Sequence, residues 1–302
     1  MLYRSKRHYL KLGPQKLGAT ISLEHGYIRA EADRLRGAEI VFEKKTVTGT
    51  ENLLMAAALA KGETILRNCA REPEVADLAV LLNKMGARID WPDEDTARIR
   101  GVKELGGAAH AIIPDRIETG TFLVAGALTG GDIIVRGVVP EHVGSVIDKL
   151  RASGAYVEPA GEGALRVVGT SEVRPQDITT SPYPGFPTDM QAQFMVLLTQ
   201  AAGTSIITET IFDRRYSHVN ELVRLGASIE VQGDKAVVKG KTPLSGAEVV
   251  ATDLRASAAL VLAGLVATGE TTVTEIEHLD RGYERIEEKL RGLGASIERV
   301  KA

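Results

Sequence analysis

Leu17-Gly18-Ala19, Met85-Gly86-Ala87, Ser153-Gly154-Ala155, Leu225-Gly226-Ala227 and Leu293-Gly294-Ala295 are five versions of one phrase. Each closes a helix-periodic segment with a glycine and runs on into a β-prone one. The glycines stand 68, 68, 72 and 68 residues apart, so one supersecondary unit recurs along the chain. Glycine at such a boundary predicts a left-handed C-terminal helix cap. The second copy shows the unit in full: a strand over 37–42, then a helix over 46–59 with Leu53, Leu54, Ala57 and Ala58 at helical spacing. A turn at Gly62 follows, then a strand over 64–66, a helix over 73–85, and a hairpin with strands near 87–90 and 97–99. The unit reads β-α-β-α-β-β.

The third copy places its two helices near 117–128 and 141–153, the fourth near 189–200 and 216–225, and the fifth near 254–267 and 281–293. The first helix of each unit is apolar or small on nearly every face, as in Ala256-Ser257-Ala258-Ala259-Leu260-Val261-Leu262-Ala263, which predicts burial. The second helices are amphipathic and belong on the outside. The first copy consists of its tail alone, and the fifth stops before its last hairpin strand. This predicts an unpaired sheet edge near 295–300 and a tendency to self-associate.

With 302 residues, 44% hydrophobic and 25% charged, the expectation is two globular domains. A net charge of −3 gives no reason to expect nucleic acid or an anionic membrane as partner. Cys69 is the single cysteine, which excludes an internal disulfide and fits a reducing cytoplasm. The basic stretch 1–16 lacks a signal peptide's apolar core, and no apolar run reaches membrane-spanning length. A cytoplasmic protein is expected.

Charged residues gather at the starts of the first helices: Lys44-Lys45-Thr46, Asp115-Arg116-Ile117-Glu118, Thr188-Asp189 and Asp253-Leu254-Arg255. A helix N-terminus presents unsatisfied N–H groups and the positive end of the dipole, so it suits phosphates and carboxylates. Simple N-capping is the alternative for each Asp or Thr, but Arg116 and Arg255 exceed what a cap needs. The connections before the second helices carry Arg71-Glu72, Arg214-Arg215 and Asp280-Arg281, for which solvated ion pairs are the plain reading. Residues 182–189, Pro-Tyr-Pro-Gly-Phe-Pro-Thr-Asp, set three prolines and two aromatics before one carboxylate, a rigid approach that suits a general base. The histidines show no metal-ligand spacing, no P-loop is present, and Cys69 reads as an inert small residue.

The segments Gly185-Phe186-Pro187-Thr188-Asp189-Met190-Gln191-Ala192-Gln193, Asp115-Arg116-Ile117-Glu118-Thr119-Gly120-Thr121, Thr252-Asp253-Leu254-Arg255-Ala256-Ser257 and Asp280-Arg281-Gly282-Tyr283-Glu284-Arg285-Ile286 resemble the UDP-N-acetylglucosamine 1-carboxyvinyltransferases. So does Ala70-Arg71-Glu72-Pro73-Glu74, and the resemblance runs from about Lys16 to Ala302. It implies a two-lobed inside-out α/β barrel of β-α-β-α-β-β repeats, with the active site in the cleft between the lobes. Residues 1–113 would form an incomplete first lobe and 114–302 the second.

The implied reaction moves the enolpyruvyl group of phosphoenolpyruvate to the 3′-hydroxyl of UDP-N-acetylglucosamine with release of phosphate, the first committed step of peptidoglycan synthesis. It needs no cofactor or metal. By the resemblance Asp189 is the base towards the 3′-hydroxyl, while Arg281 and Arg255 hold phosphoenolpyruvate. Lys44, Lys45, Thr46, Val47 and Ile211 contact the nucleotide sugar. Glu72, Asp115, Arg116, Thr188 and Asp253 line the cleft. The family also has an N-terminal Lys-Asn pair and a mobile loop carrying a reactive Cys or Asp, both upstream of Met1. The chain is therefore expected to be a shortened family enzyme; the other readings are a non-catalytic remnant that binds nucleotide sugar, or one chain of a split enzyme.

Overall fold

The computed structural model describes residues 13–25 and 27–300, so the reading of 1–12 lies outside the described residues. Residues 13–16 are helical and lead into a hairpin, β1 (Thr20–Glu24) antiparallel to β2 (Tyr27–Glu31). The second copy follows as β3 (Glu39–Val41), α1 (Val47–Ala58), β4 (Glu63–Arg67), α2 (Pro73–Lys84), β5 (Ile89–Asp90) and β6 (Ala97–Arg100). Its sheet runs β3-β4-β6-β5, parallel in the first pair and antiparallel in the others. The hairpin's second strand thus lies next to β4, with Leu66 opposite Ala97.

The third copy is α3 (Arg116–Leu128), β7 (Asp132–Arg136), a 3-10 turn at Pro140–Val143, α4 (Gly144–Ala152), β8 (Tyr156–Pro159) and β9 (Ala164–Val168). The fourth is β10 (Ile178–Thr179), a 3-10 turn at Thr188–Met190, α5 (Gln191–Thr199), β11 (Thr204–Thr208), α6 (Val219–Arg224), β12 (Ser228–Gln232) and β13 (Lys235–Lys239). The fifth is β14 (Glu248–Val250), α7 (Leu254–Gly264), β15 (Thr272–Thr274), a 3-10 segment at Ile276–Arg281 and α8 (Ile286–Gly292). Strand orders β7-β9-β8 and β10-β11-β13-β12 repeat the pattern of the second copy. The chain is an α/β repeat protein, as its periodicity implies.

The five repeat glycines explain the regular spacing. Gly18, Gly86, Gly154, Gly226 and Gly294 have φ of 90°, 104°, 105°, 98° and 100°, the left-handed region that only glycine enters freely. The N–H groups of Gly86 and Ala87 reach back to the carbonyls of Asn83 and Leu82, the paired bonds of a Schellman cap. The same two bonds recur at Gly154-Ala155, Gly226-Ala227 and Gly294-Ala295. Each helix therefore ends at a fixed residue and throws the chain into the next strand.

Four departures from the expected elements stand out. The α5 helix opens with a 3-10 turn that carries Asp189, and α4 likewise follows a 3-10 turn. The α6 helix starts at Val219 rather than 216, and the Tyr216 hydroxyl lies within hydrogen-bond reach of the carbonyls of Ile207 and Asp234. The α8 helix starts at Ile286, after a left-handed Arg285. In the third copy no first strand forms, since 103–113 runs irregularly from one unit to the next. Among the described residues 295–300 joins no strand; Ala295 and Ile297 pack on the core, and Arg299 is bound by Asp280 and Glu287.

Contacts group the chain into two compact units meeting at Ile113 and Pro114. The first has a core of Phe42, Leu54, Leu66, Cys69, Val75 and Ile99. In the second, α3, α5 and α7 pack against one another, and every residue of α5 is buried. That burial is why these helices are apolar on all faces. Among the described residues no helix is long and apolar enough to cross a membrane.

A candidate active site around Asp189

The repeat lets one carboxylate be judged against its counterparts. Asp115 caps α3, its Oδ1 accepting from the N–H groups of Ile117 and Glu118 at 2.7 and 3.2 Å. Asp253 caps α7 in the same way, accepting from Arg255 and Ala256 N–H, both at 2.9 Å. Thr46 caps α1 through Gly49. Asp189 makes no such cap. Its Oδ1 accepts from Arg215 Nη1 at 2.7 Å, and its Oδ2 from Arg255 Nε and Nη2 at 3.1 and 3.0 Å. Capping accounts for three of the four positions and fails at the fourth.

Local sequence explains the exception. Phe186 is buried and meets the Phe194 ring edge-on at 4.9 Å, which anchors the proline-rich approach to α5. The Gly185 carbonyl accepts from Ser145 Oγ. The helix then begins with a 3-10 turn, which carries the Asp189 side chain away from the helix's own N–H groups and towards the two arginines. Thr188 sits between its neighbours: its Oγ1 accepts from Arg215 Nη1 at 2.9 Å and donates to Glu209 Oε2 at 2.8 Å.

Burial works to raise the Asp189 carboxyl, but the charges of Arg255 and Arg215 outweigh it and hold the group below the ordinary aspartate value. The Arg255 side chain is 11% exposed, and the Asp189 carboxylate keeps its guanidinium charged against the cost of burial. Behind Arg255 lies Tyr283, fully buried, whose hydroxyl accepts from Arg255 Nη1 at 3.3 Å while the guanidinium lies 5.6 Å from the ring centre. Among the described residues no group of side chains could hold a metal ion. The cluster can bind an anion through two arginines and present an ionised carboxylate beside it.

The expected residues fall into distinct places. Asp189, Thr188 and Arg255 come together. Asp253 lies next to them in sequence only as the cap of α7, its Oδ2 taking the Ser217 hydroxyl. Arg281 is exposed at the end of a 3-10 segment, two residues ahead of Tyr283. Arg116 lies over the Tyr183 ring at 5.9 Å. Ile211 is 38% exposed in a turn whose N–H groups are held by Glu209. Lys44, Lys45, Thr46, Val47 and Glu72 belong to the first unit, where Lys45 binds Asp95 and the Cys69 carbonyl and Glu72 is buried at the start of α2. Asp280 pairs with Arg299, and Arg71 with the Glu94 carbonyl. Cys69 is fully buried, and burial pushes its thiol up to about 11.

Tyr283, Gln193, Thr121 and Glu209 were not singled out by the sequence reading, and Arg215 was read there only as a charge whose plain role is a solvated ion pair. Tyr283, Gln193 and Thr121 lie inside segments that it quoted, without any sign of what they would touch. Glu209 carried a subtler signal. Residues after the second strand of the other units, Asn68, Gly137 and Glu275, are left-handed with φ of 58°, 68° and 55°. Glu209 takes that place in the fourth unit and instead turns its carboxylate inward.

Comparison with known proteins gives the family. The family model of EPSP synthase (3-phosphoshikimate 1-carboxyvinyltransferase) matches residues 11–290. The UDP-N-acetylglucosamine 1-carboxyvinyltransferase of Koribacter versatilis is 59% identical over 95% of this chain, and that of Anaeromyxobacter sp. strain Fw109-5 is 62% identical over 96%. The chain spans 66% and 69% of those relatives' lengths, about two thirds. The crystal structure of the enolpyruvyl transferase NikO from Streptomyces tendae superposes with a TM-score of 0.88 at 27% identity, covering 99% of this chain and 73% of that one. EPSP synthase of Acinetobacter baumannii, at 20% identity and a TM-score of 0.71 over 98% and 72% of the two chains, shares the fold. The chain therefore belongs to the EPSP synthase family of enolpyruvyl transferases, on the branch of the UDP-N-acetylglucosamine 1-carboxyvinyltransferases.

Proposed function

We propose that this chain takes part in enolpyruvyl transfer from phosphoenolpyruvate to the 3′-hydroxyl of UDP-N-acetylglucosamine, with phosphate released by addition and elimination. The observation that carries the reading is the Asp189 carboxylate, excluded from helix capping and held by Arg215 and Arg255. In this reading Asp189 takes the hydroxyl proton as the sugar oxygen bonds to C2 of phosphoenolpyruvate and a proton adds at C3; loss of a C3 proton then expels phosphate from C2 and restores the double bond. The arginines meet the carboxylate and phosphate of phosphoenolpyruvate, with Arg281 as a third cation from the neighbouring segment. Lys44, Lys45, Thr46 and Val47 of the first unit and Ile211 of the second serve the nucleotide sugar, and Glu72 of the first unit and Asp115, Arg116, Thr188 and Asp253 of the second are further substrate contacts.

The electrostatics support an ordered sequence. A carboxyl held below its usual range is ionised at neutral pH yet weakly basic. An arriving anion competes for the same guanidinium hydrogens, loosens them from Asp189 and raises its basicity at the moment a base is needed. The test is phosphate release from phosphoenolpyruvate, with and without UDP-N-acetylglucosamine. Sugar-dependent release that Asp189→Asn lowers by a factor of about 100 or more supports the reading. Near-normal turnover of Asp189→Asn would sink the assigned role.

A further inference from the structure

Beneath the Asp189–Arg255 pair lies a buried polar cluster that the proposed chemistry leaves without a task. The Tyr283 hydroxyl is 3.0 Å from Thr121 Oγ1, and Gln193 Nε2 is 3.1 Å from Thr121 Oγ1 and 3.3 Å from the Tyr283 oxygen. Thr121 and Gln193 are 1% and 0% exposed, in the middle of α3 and the first turn of α5. The cluster therefore joins three units of the repeat where their buried helices meet.

Its hydrogens can be placed one by one. Thr121 has a single hydroxyl hydrogen, which goes to the Ile117 carbonyl at 2.8 Å. Its oxygen is then an acceptor towards Tyr283, so the phenol hydrogen points at Thr121. That leaves the lone pairs of the Tyr283 oxygen for Arg255 Nη1 and Gln193 Nε2. The order Arg255 to Tyr283 to Thr121 to the Ile117 carbonyl is fixed by the main chain of α3. Gln193 uses its two amide hydrogens here while its Oε1, buried, has no hydrogen-bond partner among the described residues. An orphaned buried acceptor is a cost that an apolar residue would avoid, so the glutamine is held in place for its donors.

We infer that Tyr283 is a positioning residue whose hydroxyl, oriented by Thr121 and Gln193, sets the Arg255 guanidinium against the Asp189 carboxylate. The geometry stands by itself; giving the pair a part in turnover rests on the function proposed above. The charged and titratable groups whose fields reach Asp189 and Tyr283 are Arg215 ahead of α6, Arg255 on α7 and Asp115 at the start of α3. None of them is altered by the substitutions below.

The test reads Asp189 itself. In protein carrying 13C-labelled aspartate carboxyls, with Asp189→Asn to assign the signal, Tyr283→Phe frees Arg255 and moves the Asp189 titration upward by about half a pH unit. Thr121→Val keeps the shape but removes the acceptor, so it reproduces the shift; Thr121→Ser keeps the hydroxyl, loses a methyl and leaves the titration in place. A purely structural role predicts the reverse order, with serine the worse of the two. Where turnover is measured, Tyr283→Phe and Thr121→Val lower kcat about fivefold and carry the acid limb of the profile upward with them. An Asp189 signal that titrates alike in the parent and Tyr283→Phe overturns the inference, as does Thr121→Ser behaving like Thr121→Val. A parent protein that shows the shifts but no sugar-dependent phosphate release overturns the functional reading and leaves the positioning role standing.

Discussion

Glu209→Gln isolates one charge at a position where every partner is known. The Glu209 carboxylate is 4% exposed. Its Oε1 accepts from the Thr180 hydroxyl at 2.9 Å and from the N–H groups of Ile211 and Phe212 at 2.8 and 3.0 Å. Its Oε2 accepts from the Thr188 hydroxyl at 2.8 Å. A glutamine retains the first three bonds but presents an NH2 to Thr188. Because Thr188 Oγ1 already accepts from Arg215, its hydroxyl hydrogen is left without an acceptor, at a cost of about 1–3 kcal/mol. The weaker pull of a neutral amide on the other three donors is offset by its cheaper burial. The expected loss is about 2 kcal/mol, and Glu209→Ala, which orphans four donors, should lose about 4 kcal/mol. Denaturant unfolding followed by far-UV circular dichroism gives both values. Trp91, the only tryptophan, reports on the first unit and should be unaffected. If both variants unfold within about 0.5 kcal/mol of the parent, the carboxylate is not what organises the Thr188 and Ile211 turns.

Three further outcomes are expected. Gly86→Ala should cost about 1 kcal/mol from its left-handed φ alone, since the added Cβ meets nothing within 4 Å. Gly101→Ala should cost about 3 kcal/mol, because its Cβ would stand 1.7 Å from the Ala60 carbonyl oxygen; Trp91 fluorescence orders the two. Burial pulls His218 down to about 4, so the unfolded chain binds a proton that the folded chain refuses between about pH 6.5 and 4. Stability should fall by up to about 3 kcal/mol as pH drops through that window, and His218→Gln should flatten the curve. Cys69 should resist a thiol reagent in the folded protein and react fully once unfolded; rapid labelling of the native chain would contradict its burial.

The repeat was legible because a backbone constraint writes itself into sequence. A left-handed helix cap demands glycine, and five such caps at nearly constant spacing expose the unit, its helices and its hairpins without any knowledge of packing. The burial of α3, α5 and α7 was legible for a related reason, since a helix surrounded by protein has no polar face. Where chemistry begins, local reading stops. Asp115, Asp189 and Asp253 each stand at a helix start, and the proline-rich approach of 182–189 marks Asp189 out along the chain; that an anchored Phe186 and a 3-10 turn point it at arginines 26 and 66 residues away is not written locally. The path from Arg255 through Tyr283 and Thr121 spans 162 residues between its two hydroxyls. Local constraints on the backbone determined the repeat from sequence alone; long-range placement of side chains, which depends on how three helices meet, was decided only by the tertiary structure.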